Sequence, residues 1–315
     1  MPKVLVIYNP VAGRGRVRAC WPEVEKALHE AGIDFVAVPT RAPLDATKMA
    51  RRAPGMYAAV IGVGGDGTVH EIVNGLAHAA GNGEMLPLGV IPLGNGDDFA
   101  KVIPPEAPVG GKPFDWPTAV KKVARMQSHN FDLGRVIAAE GSSVSDDSPR
   151  YFMNGMDIGF GAHSVLNFTT IPRFLRGFSA YLATVFKTMI RYPLLPVRFQ
   201  FDEQLPFEQV TAMTAVMNGR SLGNGFWVAP EASPNDGLFD VMVAQGVGRL
   251  TILRLVPKFM RGTHTGERVL RFYRARKVAL ESRVPLVVEA DGEILFREAH
   301  YLEIEILPGK LRVMV

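Results

Sequence analysis

The chain has 315 residues, about twice the ~150-residue prior for one domain, so two domains are expected. Apolar residues make up 47% and charged residues 21%, which excludes a disordered chain, and a net charge of +4 does not by itself argue for a nucleic-acid partner. One cysteine, Cys20, excludes an internal disulfide and a cysteine-based zinc cluster and fits a reducing compartment. No run approaches the roughly 18 apolar residues of a membrane span, so a soluble chain is expected, one that touches a membrane at most. The start, Met1-Pro2-Lys3 and then the apolar run 4–8, is followed by Asn-Pro and reads as a first strand rather than a signal-peptide core.

Residues 1–130 alternate between two periodicities. Residues 4–8 (VLVIY) form a continuous apolar run, the pattern of a strand buried on both faces. A helix is predicted over 21–31, with Pro22 near its start and Gly32 just past its end. Apolar runs at 33–38, 57–63 and 88–91 predict three more strands, and helices are predicted over 44–53, 69–80 and, briefly, 98–102. Strands alternating with helices predict a parallel sheet covered on both faces, where ligands gather beyond the carboxyl ends of the strands.

Three unusual loops fall at those ends. The strongest is Gly64-Gly65-Asp66-Gly67-Thr68, between a buried strand and a helix. A helix N-terminus offers unpaired N–H groups and partial positive charge, and glycines let backbone approach phosphate. Taken alone, the segment is equally a strand-to-helix turn capped by Thr68. Gly62-x-Gly64-x-x-Gly67 also fits a dinucleotide fingerprint, but it follows the third strand, and Asp66 sets a carboxylate where a pyrophosphate would lie. An acid there is tolerable when magnesium lies between it and the phosphates, which favours a nucleoside triphosphate. The Gly-Lys-Ser/Thr of a Walker loop is absent. The second loop, Asn9-Pro10-Val11-Ala12-Gly13-Arg14-Gly15-Arg16, has turn residues and two basic side chains suited to a phosphate edge. The third, Pro92-Leu93-Gly94-Asn95-Gly96-Asp97-Asp98-Phe99, brings adjacent carboxylates to a helix start, where acids also serve as caps. Each has a bland reading alone. Three at one edge make a nucleotide site.

Beyond residue 130 the texture changes. A polar stretch, 141–148 (GSSVSDDS), leads to short strands predicted at 197–201, 209–217, 238–243, 277–280 and 286–289, separated by Gly, Pro and Asn turns as in an antiparallel sandwich. The expected division is 1–130 for the nucleotide-binding domain and 131–300 for the sandwich. Two carboxylate motifs stand out here. Residues 232–240 (ASPNDGLFD) are ordinary hairpin chemistry. In Glu289-Ala290-Asp291-Gly292-Glu293 an Asp-Gly turn has a carboxylate on each side. A hydroxyl attacking a γ-phosphate needs an acceptor for its proton, and an Asp or Glu within reach serves. His70-Glu71 opens like a zinc-protease helix, but residue 74 is Asn, which excludes that reading.

GGDGT with the following VHEIVNG resembles the catalytic signature of the diacylglycerol kinase and sphingosine kinase superfamily, and its soluble bacterial lipid kinases in particular. IYNPVAGRGR, IPLGNGDDFA, PNDGLFDV, LRLVPKFMRGTH and EADGE extend the resemblance over nearly the whole chain, whereas GGDGT alone is shared with NAD kinases and phosphofructokinases. The resemblance implies an α/β N-terminal domain with a parallel sheet, of the NAD kinase and phosphofructokinase kind, plus an all-β sandwich C-terminal domain, with the active site in the interdomain cleft. It also implies that the tail, about 300–315, returns to the first domain. Carried over, Asn9, Pro10, Val11, Ala12 and Gly13, then Gly64 and the stretch Gly65, Asp66, Gly67, Thr68, Val69, His70 and Glu71, with Thr40 and Asn95, surround ATP. Asp66 and Asp98 act in the nucleotide–magnesium site, Asp291 is the general base with Glu293 its rival, and Asp236 holds a structural Mg2+ with the carbonyls of Ser233 and Leu238. The chain departs from the family pattern at Asn95, Asp97 and Ser233.

These residues imply a kinase that phosphorylates a membrane-lipid hydroxyl, diacylglycerol most simply, with a sphingoid or other lipid as the variant. NAD kinase-like action on a soluble substrate and a nucleotide-dependent membrane binder without turnover are the alternatives. Residues 172–192 have apolar side chains at helical spacing with Arg173, Arg176, Lys187 and Arg191, a helix that either lies on an anionic bilayer or packs on its own sandwich. Between Arg249 and Arg283 stand ten Lys or Arg and two acids, with Arg254, Lys258 and Arg261 on one helical face and Pro257 expected to kink it. Nucleic acid ranks below anionic lipid as the partner, because stacking aromatics are not interleaved. The expected location is cytoplasmic, peripheral at the inner membrane surface, and the chain is compatible with a homodimer.

Overall fold

In the computed structural model, residues 3–103, 114–139, 149–168, 177–190, 192, 194–223 and 225–315 are described. The N-terminal third follows the predicted alternation: β1 (Val4–Tyr8), α1 (Ala12–Glu30), β2 (Phe35–Pro39), α2 (Asp45–Arg51), β3 (Ala59–Gly64), α3 (Asp66–Ala80) and β4 (Leu88–Pro92), then a 3-10 turn (Phe99–Val102) and α4 (Trp116–Ala124). Strands β4, β3, β1 and β2 are adjacent and parallel in that order. Each is short and apolar, and β3 and β4 are wholly buried because helices cover both faces of the sheet.

The remainder is built from β5 (Ser128–Ala139), β6 (Arg150–Phe152), β7 (Gly155–Gly159), α5 (Phe160–Phe168), α6 (Gly177–Ile190), β8 (Leu195–Phe201), β9 (Phe207–Met217), β10 (Phe239–Gln245), α7 (Arg249–Arg261), β11 (Leu270–Ala275), β12 (Lys277–Ala290) and β13 (Glu293–Met314). These strands pair antiparallel in the order β11-β10-β9-β7-β12-β13. β8 shows the period of two: Leu195, Val197, Phe199 and Phe201 point into the core, and Pro196, Arg198 and Gln200 point to water. Phe199, Phe201, Phe207 and Tyr273 pack there as one aromatic cluster, with Phe199 stacked on Phe207 and Tyr273 tilted against Phe201 and Phe207. The 22-residue β13 joins the two halves, since it pairs with β12 and β5 and ends beside β4 at Val313↔Leu88, with Leu311 and Val313 in the core under the parallel sheet.

Several boundaries differ from the sequence expectation. Helix α1 starts at Ala12, its path interrupted by left-handed backbone at Gly13, Arg14 and Gly15, so Pro22 lies inside it rather than at its start. Helix α3 begins at Asp66, three residues before the apolar periodicity becomes visible. Residues 277–280 and 286–289 belong to one strand, β12, whose register shifts between Glu281 and Leu286 absorb the polar interruption that looks like a break. Helix α7 runs through Pro257 as one element, held by the buried faces of Ile252 and Leu255 although the proline removes an N–H donor. The stretch 141–148 and Arg173, Arg176 and Arg191 lie outside the described residues. Among the described residues no helix is long and apolar enough to cross a membrane.

Candidate active site

The loops after β1, β2, β3 and β4 all open at one rim of the parallel sheet. Two of their contacts admit only glycine. Gly13 has φ +58°, and a Cβ there would stand 2.2 Å from the Leu93 carbonyl oxygen. A Cβ on Gly94 would stand 2.4 Å from the Gly65 Cα and 2.5 Å from Asp97 Oδ1. The loops after β1 and β4 meet at Gly13 and Leu93, and those after β3 and β4 meet at Gly65 and Gly94. Side chains complete the stitching: the Asn9 amide donates to Thr68 Oγ1 at 3.2 Å, and the Val11 N–H donates to Asn9 Oδ1. The Gly94 N–H donates to Asp97 Oδ1 at 3.0 Å, and the Phe99 N–H to Asp66 Oδ1 at 3.1 Å. Gly65 caps α3 in extended conformation with no side chain bonded to the helix end.

Three carboxylates crowd this rim. Burial and the charge of Asp98 push Asp66 up to about 7. Burial likewise pushes Asp97 up to about 6, with Arg16 and Lys101 pulling against it. Asp98 is ion-paired with the buried Lys101 at 2.6 Å. Anions held this close and this dry favour a cation between them.

The second lobe sends its own acids to the same place. Asp291 and Gly292 turn the chain from β12 into β13 with φ +52° and +91°. Asp291 is buried, and its carboxylate accepts four N–H groups: Asn154 and Gly155 on Oδ1 at 3.0 and 3.2 Å, Met153 and His70 Nδ1 on Oδ2 at 3.0 Å each. An ionised carboxyl has about four acceptor positions, so all are filled. His70 sits on α3 of the first lobe, and Asn74, one turn on, ties that helix to β6 through both Tyr151 backbone groups. Glu293 differs. It is solvent-accessible through the cavity described below and lies over the start of α3, its Oε1 2.9 Å from where a Gly67 Cβ would be. The walls around Glu293 still desolvate its carboxyl and raise it above the ordinary glutamate range, with His70 pulling the other way.

One cavity of about 650 Å³ joins these groups. At one end it is lined by Gly13, Arg14, Gly65, Asp66, Gly67, Gly94, Asn95 and Asp98, and at its waist by Asp291, Gly292 and Glu293. From there it continues between α5, α6, α7 and the face of β9 and β10, past Val165, Val185, Leu222, Val228, Met242, Leu255, Phe259 and Leu270. Polar at one end and apolar at the other, it suits a ligand with the opposite halves.

The other sequence-derived site residues stand elsewhere. Asn9, Pro10, Val11, Ala12, Gly64 and Thr68 shape the rim from behind the lining, and Thr40, whose N–H donates to the Tyr8 carbonyl, ends β2 beside it. Glu71 faces away: both its oxygens accept N–H groups at the start of α2, from Leu44 and Ala46. Ser233, Asp236 and Leu238 also lie outside the cavity. The Asp236 carboxylate is paired with Arg274 and accepts the Leu238 N–H, and the Ser233 hydroxyl donates to Asn235. A guanidinium takes up that carboxylate in this structure, and the three residues stand apart from the cavity that joins the nucleotide loops to the acids of the second lobe. Asp157 and Asn154 are site groups that the sequence reading does not single out; it names Glu289 only as a flank of the Asp291 turn and gives His70 no link to Asp291. The visible signal was a carboxylate inside each of two apolar strands, at GMDIG and PLVVEA.

The diacylglycerol kinase catalytic domain profile matches residues 3–136, and the profile of the YegS C-terminal NAD kinase beta sandwich-like domain matches 156–315. The chain is 29% identical to a diacylglycerol kinase of Bacillus subtilis, over 93% of this chain and 90% of that one. It is also 29% identical to a diacylglycerol kinase of Mycobacterium tuberculosis, over 99% and 94%. Among solved structures, a diacylglycerol kinase from Bacillus anthracis superposes with TM-score 0.71 at 23% identity, covering 99% of this chain and 96% of that one. Yeast NADH kinase has the same fold at TM-score 0.52 and 11% identity, over 99% and 82%.

Proposed function

The chain belongs to the family that joins a diacylglycerol kinase catalytic domain to a YegS-type C-terminal sandwich and is a lipid kinase, and from that premise we propose that it transfers the γ-phosphoryl group of magnesium ATP to a hydroxyl of a membrane lipid, diacylglycerol first of all. The observation that carries this reading is the single cavity running from the glycine loops, past two acids, into an apolar channel. Phosphoryl transfer asks the protein chiefly for positioning and charge stabilisation. The rim loops bind the triphosphate with backbone N–H groups and Arg14. Asp66 and Asp98 would hold Mg2+ together with the phosphates; the ion supplies neutralisation of the phosphate charge. Among the described residues no three acidic, His or Cys side chains converge into a cage of their own. One or two carboxylates plus phosphates are a sufficient magnesium shell.

We assign the proton acceptor to Glu293. Its carboxylate faces the cavity and is raised by desolvation, whereas every acceptor position of Asp291 is filled. Asp291 then positions the turn that carries Glu293 and fixes it to α3 through His70. The acyl chains lie in the apolar channel. Phe186, Ile190, Leu194 and Leu250 are exposed, near Lys187 and the start of α7, where Arg249 donates to the Ile190 carbonyl. We place the anionic bilayer against this apolar and basic rim, at the inner surface of the membrane. The basic face read from sequence is smaller than it looks, because Arg254 and Lys258 are both paired with Glu267. Leu250→Glu is expected to lower sedimentation with phosphatidylglycerol vesicles; undiminished sedimentation counts against this face.

The function is tested with radiolabelled ATP, magnesium and mixed micelles carrying diacylglycerol, sphingosine or ceramide, with NAD as a soluble comparator, followed by mass spectrometry of the products. Phosphatidic acid is expected. Labelled NADP with unlabelled lipid overturns the reading. Gly94→Ala should lower stability by about 1–3 kcal/mol through overpacking and weaken binding of an ATP analogue. Gly248→Ala, where a Cβ meets nothing within 4 Å, is the control. Equal analogue affinity in the two variants would remove the Gly65–Gly94 contact from the nucleotide site.

A further inference from the structure

Two acids behind the turn have no part in the mechanism above. Asp157 on β7 and Glu289 on β12 are direct cross-strand partners, each 1% exposed, and their side chains are hydrogen-bonded to each other. Like charges facing each other across a ladder repel. Two carboxyl groups bond only when one of them carries a proton, because ionised carboxylates are acceptors alone. Among the described residues no Lys, Arg or His forms an ion pair with either.

The remaining bonds give this pair a direction. Asp157 Oδ1 accepts the Ala162 N–H at 2.6 Å in the first turn of α5, and Glu289 accepts the Gly292 N–H in the tight turn that holds Asp291 and leads to Glu293. The Asp291 N–H in turn donates to the Gly155 carbonyl at 3.0 Å, two residues before Asp157. A chain of bonds therefore leads from a helix on the lipid side of the cavity to the acids at its waist.

We infer that Asp157 and Glu289 share one proton and act as positioning residues, an uncharged clamp that fixes the Asp291–Gly292 turn and so aims Glu293. The inference rests on the assignment of Glu293 made above. Of the other titratable groups around the pair, Asp291 in the turn raises Glu289 further by its charge, Glu293 opens β13, His70 on α3 is bonded to Asp291, and His163 on α5 is bonded to the Gly159 carbonyl. When the shared proton leaves, Glu289 becomes a second buried anion opposite Asp157 and beside Asp291, and the turn loses its fixed geometry.

Burial, and then the charge of Asp157, hold the Glu289 carboxyl well above the usual range, and burial pushes Asp157 up to about 6. The folded chain thus keeps a proton that the unfolded chain releases. Stability falls as pH rises from the ordinary glutamate value through the folded one. Gln at 289 copies the protonated carboxyl: its oxygen accepts from Gly292 and its NH2 donates to Asp157, without titrating.

The test uses the full chain with magnesium ATP and diacylglycerol micelles. Glu289→Gln should keep a near-native kcat at neutral pH, lose the alkaline decline of the native enzyme, and gain a Tm advantage over native protein that grows as pH rises. Glu289→Leu, which cannot accept from Gly292, should lose on the order of 10²-fold in kcat with little change in KM for ATP, the penalty of a misplaced catalytic group. Superimposable pH profiles together with a pH-independent Tm difference overturn the shared proton, and a native kcat in Glu289→Leu overturns the positioning role. If the Leu variant does not fold, the Gln variant decides. A near-native rate in Glu293→Gln would instead refute the acceptor assignment, and the Tm comparison still judges the pair.

Discussion

Glu293→Gln is expected to lower kcat by about 10²- to 10⁴-fold, the usual loss when a positioned proton acceptor is removed. Glutamine keeps the shape of the side chain and its reach over the start of α3, but its amide does not take the proton of the attacking hydroxyl. The interaction lost exists only in the transition state, so kcat and kcat/KM should fall together while the KM for ATP stays put. The pH profile carries a second signature. Only the ionised carboxylate accepts a proton, so native activity is lost as pH falls through the value of Glu293. Desolvation by the cavity walls raises that value above ordinary glutamate. The acid limb should therefore lie higher than for an exposed glutamate and should vanish in the variant. Initial rates in diacylglycerol micelles across pH measure both. A variant with near-native kcat and an unchanged acid limb would return the acceptor role to another group.

The parallel sheet and the rim loops were legible because their causes are local. Apolar runs such as AVIGVG have only one environment that suits them, and Gly13, Gly65 and Gly94 advertise close backbone approach before any coordinates are seen. The Asp291 turn was legible for the same reason, since Asp-Gly is turn chemistry. What stayed hidden depends on pairing between distant segments. Nothing in GMDIG says that Asp157 faces Glu289, 132 positions later, until β7 and β12 are laid side by side. His70 looked like half of a zinc motif; its partner lies in the other lobe, across 221 positions of sequence. Glu71 belonged to the signature but is drawn aside to cap α2, whose short helix has no side-chain cap of its own. The apolar channel was the least legible, because apolar side chains that line a cavity read the same as those that fill a core.

The largest stability loss is expected from Asp291→Asn rather than from any surface ion pair. The backbone is not the reason, since φ is +52° there and asparagine tolerates left-handed backbone as well as any non-glycine residue. The cost comes from replacing one acceptor oxygen by an NH2 donor in a site where four N–H groups converge. If the NH2 replaces Oδ1, the N–H groups of Asn154 and Gly155 are both orphaned. If it replaces Oδ2, the Met153 N–H is orphaned, and His70 must move its proton to Nε2, towards the Asn74 amide 3.3 Å away. Each buried unsatisfied donor costs about 1–3 kcal/mol, so the cheaper orientation still destabilises by at least that amount. Asp236→Asn removes half of the exposed pair with Arg274 and should cost about 0–1 kcal/mol. Denaturant unfolding of both variants beside the native chain makes the comparison. Because Asp291 ties β12 to α3 through His70, its variant should lose stability and kcat together, whereas Glu293→Gln loses kcat alone. An unfolding midpoint for Asp291→Asn equal to the native one would mean that the four N–H groups find other acceptors, and the turn would then need a different anchor to hold Glu293 over the nucleotide loops.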